Sequence, residues 1–307
     1  MKFPIPLLKK YYRDLLISGV PTFFCVLGVF WLLIEMLTFF IPDTMQWTAD
    51  NFWVLIICSS VALVVTIIDI RRKFKEMFSV RESLADTNIS LEIQVGDIFQ
   101  VEGDFIIGTD TTFETNPIPE KSLQKQFTDK YYDNVEHLDR DLANALGDEK
   151  LIENTSGKSK RYKIGTVAKV SPKKQVVYLV AIDELNKEGE VVSSLENVRD
   201  SLRELWKYIR RDIDINNLVI PIIGTKHARI QIPRQVMITE IIESFLEVTY
   251  QGTLICEKLT IVIAKEDYDE NIDLKKLGDY LHVNAAKKRW QEKPAGQPVP
   301  AEHQNEH

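Results

Sequence analysis

The sequence predicts a two-helix transmembrane hairpin followed by a soluble α/β domain, a mixed sheet with helices on both faces. Three observations predict it. Two long apolar runs are confined to the first 70 residues. The Lys and Arg residues that flank these runs are absent from the loop between them. The remainder of the chain alternates short apolar strands with amphipathic helices, the pattern of a sheet covered by helices.

The first apolar run is 17–41, interrupted by Glu35 and small polar residues, and the second is 52–70, with Ser59, Ser60 and Thr66. A bilayer core takes roughly 20 residues of helix, so each run is long enough to span it. Both are apolar on every face, unlike the core helix of a soluble domain. The first is too long for a cleaved signal peptide, and no small-x-small cleavage site precedes the second. The leader, 1–16, carries Lys2, Lys9, Lys10 and Arg13, and the juxtamembrane linker, 71–89, carries Arg71, Arg72, Lys73, Lys75 and Arg81. The loop, 42–51, contains Asp43 and Asp50 and no basic residue. The bias places both termini on the cytoplasmic side and the hairpin loop outside. Trp47 and Trp53 beside that loop, and Tyr11 and Tyr12 in the leader, fall where aromatic belts form.

Glu35 is the acidic residue set deep inside the first predicted span. It lies six residues before the outer end of the first run, and six residues into the second lies Cys58, followed by Ser59 and Ser60. A carboxyl in hydrocarbon is costly and faces protein or water. Three readings stay open: a protonated Glu35 bonded to Ser59 or Ser60, a subunit contact or pore-lining group, and a side chain reaching back to the outer interface.

Beyond Arg81 the chain reads as soluble. The linker is expected to continue the second helix. "ISLEIQVGDIF" alternates apolar and polar residues as a strand does, and "GDFIIGT" is a compact buried strand. A helix-rich stretch follows from Glu120 to Gly147. "KRYKIGTVAKV" and "KQVVYLVAID" form a strand pair around the turn "SPKK". "SSLENVRDSLRELWKYIRRD" is an amphipathic helix capped by Ser193 or Ser194, with Arg210 and Arg211 at its negative end. The strand "NLVIPIIGT" leads to a helix with Pro233 at its start, then to the strand "KLTIVIAK" and a last helix, "IDLKKLGDYL". The domain is bounded at 90–285, and the Pro-rich polar tail, 286–307, is expected to be disordered.

Composition excludes several functions. The net charge is −7 with no clustered basic face, so no nucleic-acid partner is expected. Cys25, Cys58 and Cys256 show no Cys-x-x-Cys spacing and no His/Cys cluster, so neither a metal site nor a disulfide framework is expected. P-loop, kinase and protease motifs are absent as well.

In such sheets ligands bind beyond the carboxyl ends of the strands. Two strand ends carry suitable residues. In one, Gly108, Thr109, Asp110, Thr111 and Thr112 follow a buried strand directly. In the other, Gly224, Thr225, Lys226, His227 and Arg229 lie between a strand and a helix, where a small-residue turn before a helix N-terminus suits an anion and cationic side chains strengthen it. Either loop alone is equally an ordinary βα loop with solvated charges.

Gly96, Asp97 and Ile98, then "IIGTDT", then Pro221, Gly224 and Thr225, in that order, resemble the macro-domain family over Ser90 to Asp267. The resemblance implies binding of ADP-ribose or a related nucleotide, with Asp97 at the adenine and Gly224–Thr225 at the phosphates. This chain departs from it in two places. Gly108, Thr109, Asp110 and Thr111 stand where the family's hydrolases carry asparagines, which implies a binding protein with no catalytic residues. Lys226 and Arg229 occupy the phosphate loop where the family has glycines. Paired with a two-span anchor, the domain resembles the membrane effectors of bacterial Thoeris anti-phage systems. That likeness implies residence in the bacterial inner membrane and a signal made by a TIR-domain partner, an ADP-ribose derivative such as the histidine- or imidazole-modified form. It further implies homo-oligomerisation on activation and disruption of the lipid bilayer. Two alternatives remain: a tethered hydrolase of ADP-ribose compounds using Asp110 or His227, and a scaffold that binds no nucleotide.

Overall fold

A computed structural model describes residues 5–41, 53–85, 87–115, 120, 122–147, 151–152, 161–185, 191–192, 194–211, 215–223, 232–252, 254–268 and 272–286. The chain divides into two compact units, Met1–Ser79 and Val80–His307.

The first unit holds two helices, α1 (Ile5–Phe40) and α2 (Trp53–Met77). Gly19 lets them approach closely, since a Cβ there would lie 2.7 Å from Ile70 Cδ1 on α2. The Thr22 hydroxyl donates to Asp69 Oδ2 at 2.9 Å, and Ala62 and Thr66 are buried in the same seam. Among the described residues one helix is long and apolar enough to cross a membrane. It is α1, through its segment Gly19–Leu37, which has a mean hydropathy of 2.1. α2 exposes Ile56, Ile57, Leu63, Val64 and Ile68 before reaching the exposed Arg71 and Arg72. Glu35 is exposed on α1, and Ser59 and Ser60 are exposed on α2. The Ser60 hydroxyl donates to the carbonyl of Ile56, one turn back in its own helix, at 2.7 Å. Trp47 and the rest of the predicted outer loop lie outside the described residues.

The linker does not continue as helix to the domain. α2 ends at Met77, and β1 (Ser79–Ser83) follows almost at once. The segment "SVRES" instead puts Val80 against α7 (Leu274–Ala286), where Gly278 leaves room for its side chain.

The second unit is built on an eight-stranded sheet in the order β1-β2-β10-β9-β3-β7-β6, with β8 (Val191–Val192) beside β7. Its centre is parallel: β2 (Ser90–Gly96), β10 (Lys258–Ala264), β9 (Asn217–Pro221), β3 (Asp104–Asp110) and β7 (Val177–Leu185). Ile261 sits between Ile93 and Ile220, and Ile107 lies beside Leu179. β6 (Val167–Val170) pairs antiparallel with β7 across the Pro172–Lys174 turn, in which Lys173 and Lys174 adopt positive φ of 48° and 68°. A separate antiparallel pair joins β4 (Leu151–Ile152) and β5 (Arg161–Tyr162).

Side chains alternate between the two faces of the sheet, and the core divides accordingly. Ile106, Tyr178, Leu218, Ile220, Ile261 and Ile263 join α5 (Leu195–Ile209), α6 (Arg234–Tyr250) and α7 in one cluster. Phe105, Ile107, Leu179, Val219 and Val262 join α3 (Leu123–Tyr131) and α4 (Val135–Leu146) in the other. Helices therefore cover both faces of a mixed sheet, as the sequence predicts. Caps fix the helix starts: Ser122, Asn134 and Ser194 each accept a backbone N–H three residues on, at 3.0 Å. The continuous apolar runs in β9 and β10 follow from burial on both faces.

Candidate ligand-binding cleft

Five parallel strands end along one edge, and their ends enclose a cleft of about 420 Å³. β2 delivers Gly96, Asp97 and Ile98; β3 delivers Gly108, Thr109 and Asp110; β7 delivers Ile182 and Asp183. Pro221, Ile222 and Ile223 come from β9, and Ala264, Lys265, Glu266 and Asp267 from β10. The start of α3 closes one side with Ser122, Leu123 and Gln124. Segments more than 150 residues apart in sequence meet here because the sheet order interleaves them.

Asp97 stands at the mouth, exposed, as the N-cap of the 3-10 turn Ile98–Gln100; its Oδ1 accepts the Phe99 N–H at 3.0 Å. Ile98 is buried beneath it with Phe105 and Val262. Tyr131 on α3 feels both its burial and the Asp97 charge, which raise its phenol above the ordinary range. Lys130 lies 4.9 Å from the centre of the Phe99 ring and donates to the Phe99 carbonyl at 3.1 Å, which ties α3 to this turn.

On β3, Gly108 is required by a close approach, since a Cβ there would lie 2.5 Å from Ile182 Cδ1. Thr109 is buried, and its hydroxyl donates to Gln124 Oε1 at 3.2 Å. A bulge between Thr109 and Asp110 brings Asp110 opposite Asp183. The Asp110 carboxylate accepts the Thr112 backbone N–H at 2.8 Å and the Thr112 hydroxyl. Thr111 is buried just behind the cleft lining; its N–H donates to the Asp183 carbonyl at 2.9 Å and its own carbonyl accepts from Tyr162. The hydroxyl-rich strand end is thus held in place by its own hydrogen bonds.

The second predicted loop, with Gly224, Thr225, Lys226, His227 and Arg229, lies outside the described residues. The chain reaches it from Ile223, which lines the cleft, and resumes at Ile232 before α6. Pro233 is the N-cap of α6, and the Arg234 guanidinium donates to Asp267 Oδ1 at 3.3 Å, on the cleft's β10 side. The structure therefore brings Asp97, Ile98, Gly108, Thr109 and Asp110 together in one cleft.

Sequence reasoning did not nominate Gln124, Asp183 or Asp267. A carboxylate directly at the end of a buried apolar run ("YLVAID", "VIAKED") is the signal that would have found the two aspartates. Gln124 has no such signal, because its position depends on how α3 packs. Among the described residues no group of His, Cys, Asp and Glu side chains is arranged to hold a metal ion.

The family model described as Thoeris protein ThsA, Macro domain, matches residues 91–264, more than half of the chain. Two solved structures of the Oceanobacillus iheyensis macrodomain, a mutant and a form with MES bound, are similar to it at 12% and 13% identity, each with a TM-score of 0.46. Each match covers 68% of this chain and 98% of that chain. A mutant of tomato leucine aminopeptidase matches at 15% identity and a TM-score of 0.39, over 68% of this chain and 38% of the enzyme. No curated protein matches the chain.

Proposed function

The chain belongs to the family of the Thoeris protein ThsA macro domain, and from that premise we propose that it is a membrane-anchored effector whose α/β domain binds an ADP-ribose-derived signal. A partner TIR-domain enzyme would make that signal, and binding would drive homo-oligomerisation and disruption of the bacterial inner membrane. The observation that carries the reading is the convergence of Asp97, Gly108–Asp110 and the end of β9 on one cleft, inside the stretch the family model matches. A cleft of about 420 Å³ falls within the range of small-ligand sites, roughly 300–1,000 Å³.

In this reading the adenine lies at Asp97 against the Ile98 side of the cleft. The diphosphate lies between the β3 turn (Gly108, Thr109, Asp110, Thr111) and the loop carrying Gly224, Thr225, Lys226, His227 and Arg229. α1 and α2 form the anchor, a two-pass hairpin with both termini cytoplasmic. The apolar segment of α1 and the exposed apolar residues of α2 support that anchor, and the charge bias of their flanks supports the orientation. A ligand shifts an assembly equilibrium only by its differential affinity for the two states, so the signal must bind the assembled form more tightly.

The domain acts here as a binder. Asp110, the one carboxylate at the end of β3, is engaged with Thr112, and the strand offers Thr109 and Thr111 where the hydrolases of the family carry asparagines. The test is calorimetry on the full chain in detergent micelles, titrated with ADP-ribose, NAD and the histidine- and imidazole-modified forms, with chromatography of the nucleotide afterwards. Saturable binding with the nucleotide recovered intact is expected. Turnover would move the assignment to a hydrolase, and the absence of binding by folded protein would remove the nucleotide reading.

A further inference from the structure

A second concavity lies on the α5–α6 face of the sheet, away from the strand ends. It is a groove of about 470 Å³ between the two helices. Arg199, Arg203, Lys207 and Arg210 line it from α5, and Glu240, Glu243 and Glu247 line it from α6. The helices run side by side in the same sense: Arg199 pairs with Glu240 toward their starts, and the Trp206 indole N–H donates to the Ser244 hydroxyl at 2.7 Å further along. Trp206 is fully buried and forms the groove floor against Phe245.

The groove thus carries a basic row and an acidic row in parallel. Among the described residues, Arg199–Glu240 is the ion pair that bridges the rows. Arg203 and Lys207 pair within their own helix, with Asp200 and Glu204 respectively, and both remain more than half exposed. Such exposed pairs within one helix hold weakly, so these cations are available to a better partner.

We propose that this groove is the surface on which a second copy of the chain docks. A two-fold axis lying in the contact plane and parallel to the helices exchanges left and right while keeping height along the helices. The basic row of each protomer then faces the acidic row of the other at matching levels. A two-fold axis across the helices would oppose like charges instead. Closed two-fold contacts are the commonest form of homo-oligomer and demand a self-complementary surface of this kind. The inference rests on the assembly step proposed above and names the surface that carries it.

The test is a charge swap on the full chain. One variant combines Arg203→Glu with Lys207→Glu, which turns the middle of the basic row acidic; the other combines Glu243→Lys with Glu247→Lys, which turns the acidic row net basic. The variants are co-expressed in all pairings with two affinity tags, extracted in detergent, and captured on one tag. The opposite-sign pairing is expected to capture at least about tenfold more partner than either like-sign pairing in low salt, with the difference lost in high salt. Equal capture in every pairing overturns the proposal, whether all associate or none does. Glu243 also accepts from the Tyr280 hydroxyl, so a thermal melt checks folding. If a reversed variant melts early, the neutral set Arg203→Gln, Lys207→Gln and Glu247→Gln replaces it, and salt-sensitive capture must then disappear. ADP-ribose titrations of the same preparations separate the two readings. Binding retained without charge-selective pairing sinks the interface alone. Charge-selective pairing without binding sinks the nucleotide reading alone.

Discussion

Replacing Asp97 separates a structural role from a binding role, because the two available substitutions remove different things. The carboxylate accepts the Phe99 N–H at 3.0 Å and caps the 3-10 turn. Asp97→Asn keeps an acceptor in the same place and removes the charge, so the turn should hold, with a stability change of a few tenths of a kcal/mol. Asp97→Ala removes both, and loss of an exposed cap costs about 1 kcal/mol. In a domain of this size that is a fall of roughly 2–4 °C in Tm. The proposed adenine contact behaves differently. A hydrogen bond to a charged acceptor contributes about 1.5–3 kcal/mol, which is about 10- to 150-fold in Kd. Asp97→Ala should therefore weaken ADP-ribose binding by that factor and lower Tm, whereas Asp97→Asn, which keeps a neutral acceptor, should weaken it by about 5- to 10-fold and leave Tm in place. Calorimetry and thermal melting of the full chain in micelles measure the two quantities side by side. If Asp97→Asn binds ADP-ribose as tightly as the wild type, the carboxylate caps its turn and does not touch the base, and the placement of adenine is wrong.

Three further outcomes follow from the packing. Gly108→Ala should cost about 0.5–1.5 kcal/mol in denaturant unfolding, because the new methyl would sit 2.5 Å from Ile182 Cδ1 and push that side chain off its rotamer; an unchanged midpoint would mean that Ile182 turns freely into the cleft. Ser244→Ala leaves the buried Trp206 indole N–H without its acceptor and should cost about 1–3 kcal/mol, read by the same titration. Burial pushes the Cys256 thiol from 9.0 up to about 12. Between those values the unfolded thiol is ionised and the folded one is protonated, so the unfolded state binds fewer protons and stability falls as pH rises, by about 1.4 kcal/mol per unit. The alkaline slope should flatten in Cys256→Ala, and an identical slope would place the alkaline sensitivity elsewhere.

The strands and long helices were legible because their signals are local. "LTIVIA" and "NLVIP" are continuous apolar runs, and burial on both faces asks for nothing else. Ser194 announced the start of α5, and the "SPKK" turn announced the β6–β7 pair. The linker was misread because "RRKFKEM" does continue α2, while the switch to β1 at Ser79 depends on pairing with the next strand, β2, and on packing of Val80 against α7, far along the chain. The cleft was half legible for the same reason. Asp97 and the Gly108–Asp110 turn follow strands visible in the sequence, whereas Gln124 enters only because α3 packs Phe127 under the sheet and thereby turns its neighbour toward Thr109.

The chemistry of the cleft lining sharpens the division of labour between its two sides. Asp97, Asp110, Asp183, Glu266 and Asp267 all contribute to it, with Lys265 among them. That many carboxylates around a few hundred cubic ångströms repel a diphosphate, and such repulsion is stronger in a half-buried cleft than in water. Arg234 does not offset it for a ligand, because its guanidinium is directed to Asp267. On the proposed reading, attraction for the phosphates must therefore come from the backbone N–H groups of the strand-end turns and from Lys226, His227 and Arg229, the cations that the sequence places between β9 and α6. The departure from a glycine-rich phosphate loop then has a physical reason. In a cleft this acidic, backbone donors alone would be outweighed, and side-chain cations restore the balance. On the same reading the carboxylates would select among nucleotides, disfavouring an added anionic group near β3 and β10 and favouring a cationic one.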